Sequence, residues 1–257
     1  MIKIEIAATP SAEQWMATIE GARNAMNSWD KSDSEIRRNI LKEEEVCPGV
    51  TALVSHPCDP YISIGPNDLA LMKRLTKAGD DHGKYARMLP IHMHVTAPLY
   101  WWKEFETYRI GVAPNPSDIE MNSCSTMHKI HAKCFEWEDF SNEHLMADPR
   151  GEFSDVPLIV NPADTDCALD PTDIMELTIT MLNACREKYL STKDIRYWIQ
   201  MIQLLPDSYN QKRTLSFNYT AAAHMRHARK NHKLNEWPEL CAAIESLPYS
   251  ELITGEE

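Results

Sequence analysis

Ile2, Ile4 and Ile6 alternate with Lys3 and Glu5, which predicts a short N-terminal strand with one apolar face. The period then lengthens. Ser11 with Gln14 three residues on has the form of a capping box, and Trp15, Ile19, Ala22, Met26 and Trp29 follow at helical spacing. Residues 30–45 are rich in charge and are expected on the surface, and 51–55 is expected to form a short strand. Pro66 opens and Gly79 closes a helix that turns Leu69, Met72 and Leu75 inward. Over 90–96, Ile91, Met93 and Val95 alternate with His92, His94 and Thr96, the pattern of a strand with one buried face. From Pro98 a helix carries Leu99, Trp102 and Phe105 as a stripe and ends near Gly111. Residues 112–121, with Pro114 and Pro116, read as a loop. Residues 122–133 read as a helix too polar for a core, one that faces a ligand or a subunit boundary. Asp170 and Pro171 then start a long helix whose apolar stripe is Ile174, Leu177, Met181, Cys185 and Tyr189. Further helices are predicted over 192–205, stopped by Pro206, over 213–230 and over 235–246. This pattern, without internal repeat or linker, predicts one α+β domain over 1–257 with a helix-rich second half.

Composition narrows the function classes. Of 257 residues 43% are hydrophobic, enough to bury a core. The net charge of −12 argues against sequence-independent nucleic-acid binding by the whole surface, which needs an excess of Lys and Arg. No apolar run approaches the roughly 18 residues of a membrane span, and the alternating start is unlike a signal peptide. Seven cysteines, an odd number in a chain without a secretory leader, point to reduced thiols and a cytoplasmic location. With 8 glycines and no Gly-x-Gly-x-x-Gly, phosphate loop or Gly-x-Ser-x-Gly elbow, the chain lacks the marks of doubly wound nucleotide-binding folds and serine hydrolases.

Local chemistry stands out in three places. Between 210 and 235 lie Lys212, Arg213, Arg226, Arg229, Lys230 and Lys233 with no acidic residue, a local positive field able to attract a phosphorylated ligand, or else a solvated basic face. Cys124, His128, His131 and Cys134 have zinc-ligand chemistry, but four ligands on one continuous helix cannot converge on one ion, so no metal site is assigned. Tyr100, Trp101 and Trp102 offer rings for stacking a ligand, with core packing the simpler reading for Trp102.

Two blocks taken together resemble a known family. The first runs from Val95-Thr96-Ala97-Pro98 through Trp102-Lys103-Glu104-Phe105 and Tyr108-Arg109-Ile110-Gly111 to Asn122-Ser123-Cys124-Ser125; the second runs from Leu204-Leu205-Pro206 to Asn218 and Arg229. Their order and spacing are similar to the flavin-dependent thymidylate synthases, over roughly 82–246. The resemblance implies a small, mostly antiparallel sheet packed by several helices. It implies FAD as cofactor, NADPH and methylenetetrahydrofolate as co-substrates, and dUMP or a related pyrimidine nucleotide as substrate. It also implies a homotetramer with the site assembled between subunits. By position it places His82, Thr107, Tyr108, Arg109, Asn218 and His224 at the flavin. It places Glu104, Asn122, Ser123, Ser125, Met127 and Arg229 at the nucleotide, with Ser125 and Arg229 in the catalytic roles. A permanently charged guanidinium at Arg229 suits the enolate-like anion of an activated pyrimidine.

Several positions depart from the family pattern. Thr107 and Tyr108 stand for an Arg and a His, Glu104 for a Gln, Ser123 for a Glu, and Met127 for an Arg that grips the substrate phosphate. Ile202 and Thr220 replace further arginines, and His224 replaces an Asn. Each charge-assisted hydrogen bond lost costs about 1.5–3 kcal/mol. Replacement charge from 112–121, Lys103, Lys129, Arg213 or Arg226, or a different ligand, is therefore expected. Three functions fit: the synthase, an FAD enzyme making another C5 modification, and a non-catalytic nucleotide binder.

Overall fold

The computed structural model describes residues 2–47, 50–111, 119–147 and 170–255. The fold is α+β, with helices packed on a small, mostly antiparallel sheet. Its contacts group the chain into two compact units: unit 1 comprises Met1–Lys3, Thr96–Glu106 and Ser123–Arg213, and unit 2 comprises Ile4–Val95, Thr107–Asn122 and Thr214–Glu257. Among the described residues no helix is long and apolar enough to cross a membrane.

Unit 2 holds most of a four-stranded sheet in the order β1 (Lys3–Ala8), β4 (Pro90–Pro98), β6 (Asn210–Asn218), β5 (Ile119–Ser123). The alternation in β4 is realised fully, since Ile91, Met93, Val95 and Ala97 have no exposed surface while His92 and His94 are half-buried. Ile2, just before the edge strand β1, is buried, whereas Ile6 within it is exposed. The predicted helix over 213–230 is instead the strand β6 followed by α7 (Tyr219–Arg229). The period-2 signal was present, with Leu215 and Phe217 buried between the half-buried Thr214 and Ser216. Likewise 119–121, expected as loop, belongs to β5, while 112–118 lies outside the described residues.

Helix α1 (Ala12–Asn24) begins with the expected capping box: the Gln14 amide donates to Ser11 Oγ at 3.2 Å and the Ser11 amide to Gln14 Oε1 at 2.8 Å. Trp15, Ile19 and Ala22 are buried, and Trp15 meets Tyr219 and Tyr249 edge-on. The helix stops before Met26 and Trp29, which are exposed. Helix α2 (Pro66–Lys77) starts at Pro66 and ends before Gly79, whose φ of +99° suits only glycine. A buried ion pair ties the two helices: Arg23 Nε donates to Asp68 Oδ1 at 2.5 Å, with the two side chains 4% and 0% exposed. Asp68 Oδ2 accepts from Ser32 Oγ, the Asp33 amide, and both the amide and hydroxyl of Ser34 at 2.6–3.0 Å. The Asp33 carboxylate in turn receives the Asn67 and Asp68 amides and so caps α2. Burial pushes the Asp68 carboxyl up, and hydrogen bonds from Ser34, Ser32, Arg23 and the Asp33 amide more than offset it, leaving the group below its ordinary value.

The charged stretch is exposed as expected, but it is a strand. Residues β2 (Glu35–Cys47) and β3 (Val50–Ser63) form a long antiparallel hairpin, from Glu35 opposite Ser63 to Cys47 opposite Val50, with register shifts after Arg37 and Glu45. Both strands are edges, which tolerates Pro57 and Pro60 in β3, and cross-strand pairing substitutes for the missing apolar face.

In unit 1, α5 (Pro171–Thr192) and α6 (Ile195–Leu204) pack against each other and against Ile130, Phe135 and Phe140. Asp170 caps α5, its Oδ1 accepting from the Thr172 and Asp173 amides at 2.8 and 3.0 Å. Asp170→Ala should lower stability by about 1 kcal/mol, read as an earlier thermal midpoint; an unchanged midpoint would show that the cap contributes nothing. The predicted apolar stripe is inward only in its second half: Cys185 is buried and Tyr189 packs beside the core, while Ile174, Leu177 and Met181 are 47%, 55% and 54% exposed and Met175, Ile179 and the buried Leu182 take the inner face instead. The helix carries apolar residues on two faces, and periodicity alone does not say which one meets the core.

Candidate functional site

The predicted site residues fall into both units. Helix α3 (Leu99–Gly111), which belongs to unit 1 as far as Glu106, is anchored at its start by the Leu99 and Tyr100 amides, which donate to the Tyr209 and Asp207 carbonyls. Trp101, Trp102 and Phe105 are fully buried and stack on one another, so the two tryptophans are core and not a ligand platform. The Trp102 ring carries the Arg213 guanidinium at 4.4 Å and its Nε1 donates to the Gln211 carbonyl at 2.9 Å. Glu104 is half-buried and Thr107 exposed; the side chains of Tyr108 and Arg109 lie outside the described residues.

The polar helix expected over 122–133 is instead the end of β5 and a single turn, α4 (Thr126–Lys129). Side chains rich in hydroxyl and thiol compete for backbone hydrogen bonds, which favours this corner over a helix. It is pinned to β6: the Cys124 amide donates to the Lys212 carbonyl at 3.0 Å, and Gln211 Nε2 reaches the Cys124 carbonyl and Thr126 Oγ1 at 3.2 and 2.7 Å. Asn122, Ser123, Ser125 and Met127 are exposed there, and Ser125 Oγ lies 3.3 Å from His128 Nδ1. Among the described residues no three His, Cys, Asp or Glu side chains are placed to share a metal ion.

Cys124 also lines a cleft of about 600 Å³ within unit 1, walled by Trp137, Phe140, Tyr209 and Asn210 and bearing Lys3 and Lys212. Burial and the nearby Asp139 and Cys124 push the Tyr209 phenol up to about 12, so it stays protonated at neutral pH. Lys133 is taken by Asp139 in the same wall. Sequence reading missed this cleft. Its signal was the aromatic pair Trp137 and Phe140 in an otherwise polar segment, which meets Tyr209 through an antiparallel bridge from Phe140.

In unit 2 Asn218 is the buried N-cap of α7, accepting from the Ala221 amide at 2.9 Å, and Arg229 ends that helix. Eleven residues are about three turns, so the two share a face. The Arg229 guanidinium stacks 4.7 Å over the Trp237 ring of α8 (Glu236–Glu245). His224 Nε2 meets the Asp80 carboxylate at 3.1–3.2 Å, and His82 is exposed two residues further along the same turn. The cleft beside them, lined by Gly79, Asp80, Thr220 and His224, measures about 30 Å³, room for a water or two and not for a flavin ring. Thr220 is 6% exposed and Ile202 packs against the unit 1 core.

The basic stretch over 210–235 is in part neutralised. Arg213 pairs with Glu106 at 2.7 Å and Arg226 with Glu245 at 2.5 Å, while Lys103 pairs with Asp207 at 2.6 Å on the surface. Lys129 is exposed.

No family model and no curated protein sequence matches the chain. Solved structures do. Thymidylate synthase X from Helicobacter pylori, solved with FAD and dUMP, superposes with a TM-score of 0.56 at 13% identity, covering 100% of this chain and 98% of that one. The chain has the fold of a flavin-dependent thymidylate synthase. The UMP/dUMP methylase PolB from Streptomyces cacaoi, solved with 5-Br UMP, shares the fold at a TM-score of 0.51 and 11% identity, covering 96% of this chain and 88% of that one. At these identities the likeness fixes architecture and leaves the chemistry to the residues.

Proposed function

We propose that this protein is a flavoenzyme acting at C5 of a pyrimidine nucleotide, and specifically that it methylates dUMP reductively with methylenetetrahydrofolate, FAD and NADPH. The observation that carries the reading is the end-to-end fold correspondence with an enzyme solved with FAD and dUMP. Residues support it. Arg229, permanently cationic and steadied on Trp237, is suited to stabilise negative charge developing on the pyrimidine. Ser125 sits exposed at the corner next to Cys124, whose cleft offers Lys3 and Lys212 to a phosphate in place of the family arginines.

Bound FAD would supply hydride chemistry beyond any side chain here. The water-sized cleft at Asp80 and His224 does not admit it, so the reading places the flavin on the exposed side of that turn, against His82, and needs a second copy to close the site. The exposed face of Ile174, Leu177 and Met181 on α5, continued by Ile195 and Ile199 on α6, supports such self-association into a homotetramer. A different C5 modification, or nucleotide binding without catalysis, is favoured by one observation: Arg213 and Arg226, two candidates to replace the missing guanidiniums, are already paired with Glu106 and Glu245.

The deciding experiment is the visible spectrum of the purified protein followed by tritium release from 5-tritiated dUMP with mass analysis of the product. Flavin absorbance with release and dTMP is expected. Flavin absorbance with another product selects the second reaction, and a colourless protein that takes up no added FAD sinks both enzymatic readings.

A further inference from the structure

Three basic side chains border a cleft that the nucleotide reading does not use. In unit 2, Arg23, Met26, Ser28 and Lys31, from the end of α1 and the turn beyond it, face Asn67 and Arg74 of α2 across a cleft of about 630 Å³. Arg23 is 4% exposed. Its Nε is held by Asp68, and its Nη1 donates to the Ser28 carbonyl and Oγ at 3.1 and 3.3 Å, while Nη2 is buried with no hydrogen-bond partner. Buried guanidinium donors are normally all satisfied, so a lone one beside a cleft marks a place for an acceptor.

The charged side chains along its wall, Arg23, Lys31 and Arg74, are all basic, and among the described residues no Asp or Glu lines the cleft. The carboxylate behind it, Asp68, is already saturated by Arg23, Ser32, Asp33 and Ser34. Lys31 and Arg74 therefore set the field; Arg74 Nη2 meets Met26 Sδ at 3.8 Å, a weak acceptor easily exchanged for a better one. We propose that this cleft binds a phosphoryl group, with Arg23 Nη2 donating to it and Lys31 and Arg74 supplying its counter-charge. The volume is in the range of roughly 300–1,000 Å³ found for small-molecule pockets and exceeds what inorganic phosphate fills, so a phosphate monoester is the expected form.

Calorimetric titration of the full chain with inorganic phosphate, and separately with glycerol phosphate at matched ionic strength, tests this. Saturable binding is expected, weakened at least tenfold in Lys31→Ala/Arg74→Ala, whose substitutions remove groups outside the buried Arg23 and Asp68 pair and should leave the thermal midpoint in place. Tighter binding of glycerol phosphate identifies an ester as the natural occupant, and equal affinity identifies free phosphate; both support the site. Binding should persist in Arg229→Ala. Absence of saturable binding, equal affinity in the double variant, or loss in Arg229→Ala alone would each overturn the proposal.

Discussion

Asp68→Ala should lower the stability of the protein by about 3–5 kcal/mol, because it removes one member of a fully buried ion pair and strands the other. Arg23 would keep its charge at 4% exposure, and four loop donors on Ser32, Asp33 and Ser34 would lose their acceptor together. The effect has a pH signature. The Asp68 carboxyl lies below its ordinary value of 3.8 in the folded state. Its contribution is thus complete at neutral pH, where it is ionised folded or unfolded, and is lost as pH falls through the ordinary value towards the depressed folded one. Urea midpoints of native and variant protein should differ widely at pH 7 and draw together in strong acid. Equal midpoints at pH 7 would show that the pair and its loop do not hold α1 to α2.

Arg229→Ala should reduce turnover by about 10²- to 10³-fold under the proposed reaction, the usual cost of removing one group that stabilises charge developing in the transition state. The fold should survive, since the stacking on Trp237 is worth only about 0.5–2 kcal/mol. Arg229→Lys should rescue little: an ammonium has neither the planar fork nor the stacking face of a guanidinium. Tritium release in parallel with circular dichroism reads both effects. Turnover within a few-fold of the native rate, in a protein that remains folded, removes Arg229 from the mechanism.

Residues that bury a single face were legible in the sequence. The β4 alternation, the Ser11 capping box and the Asp170-Pro171 start of α5 all appear where local pattern and chemistry place them. Three features were hidden, each for a physical reason. The β2–β3 hairpin carries charge on both faces, so it has no apolar period to detect. Helix α5 is apolar on two sides, and only tertiary packing chooses Leu182 over Leu177. The corner at Cys124 and Ser125 depends on Gln211 and Lys212, some 85 residues away, which no local window contains. The site followed the same rule. Motif order points to Ser125 and Arg229 as the proposed catalytic pair, whereas the neutralisation of Arg213 by Glu106 and of Arg226 by Glu245 depends on contacts across long sequence separations.

The β2–β3 hairpin divides the molecule by persistence as well as by composition. Its outer rungs, such as Leu41 opposite Ser55 and Glu43 opposite Leu53, are held by backbone pairing with water on both sides, while Ile62 near its base is buried. A two-stranded ribbon without a packed face is only marginally stable. Rungs at the far end therefore open and reclose without disturbing the helices, and amide protection should decay outward from the base. Changes of length or residue there carry little cost to the helices, which leaves the hairpin open to evolutionary revision.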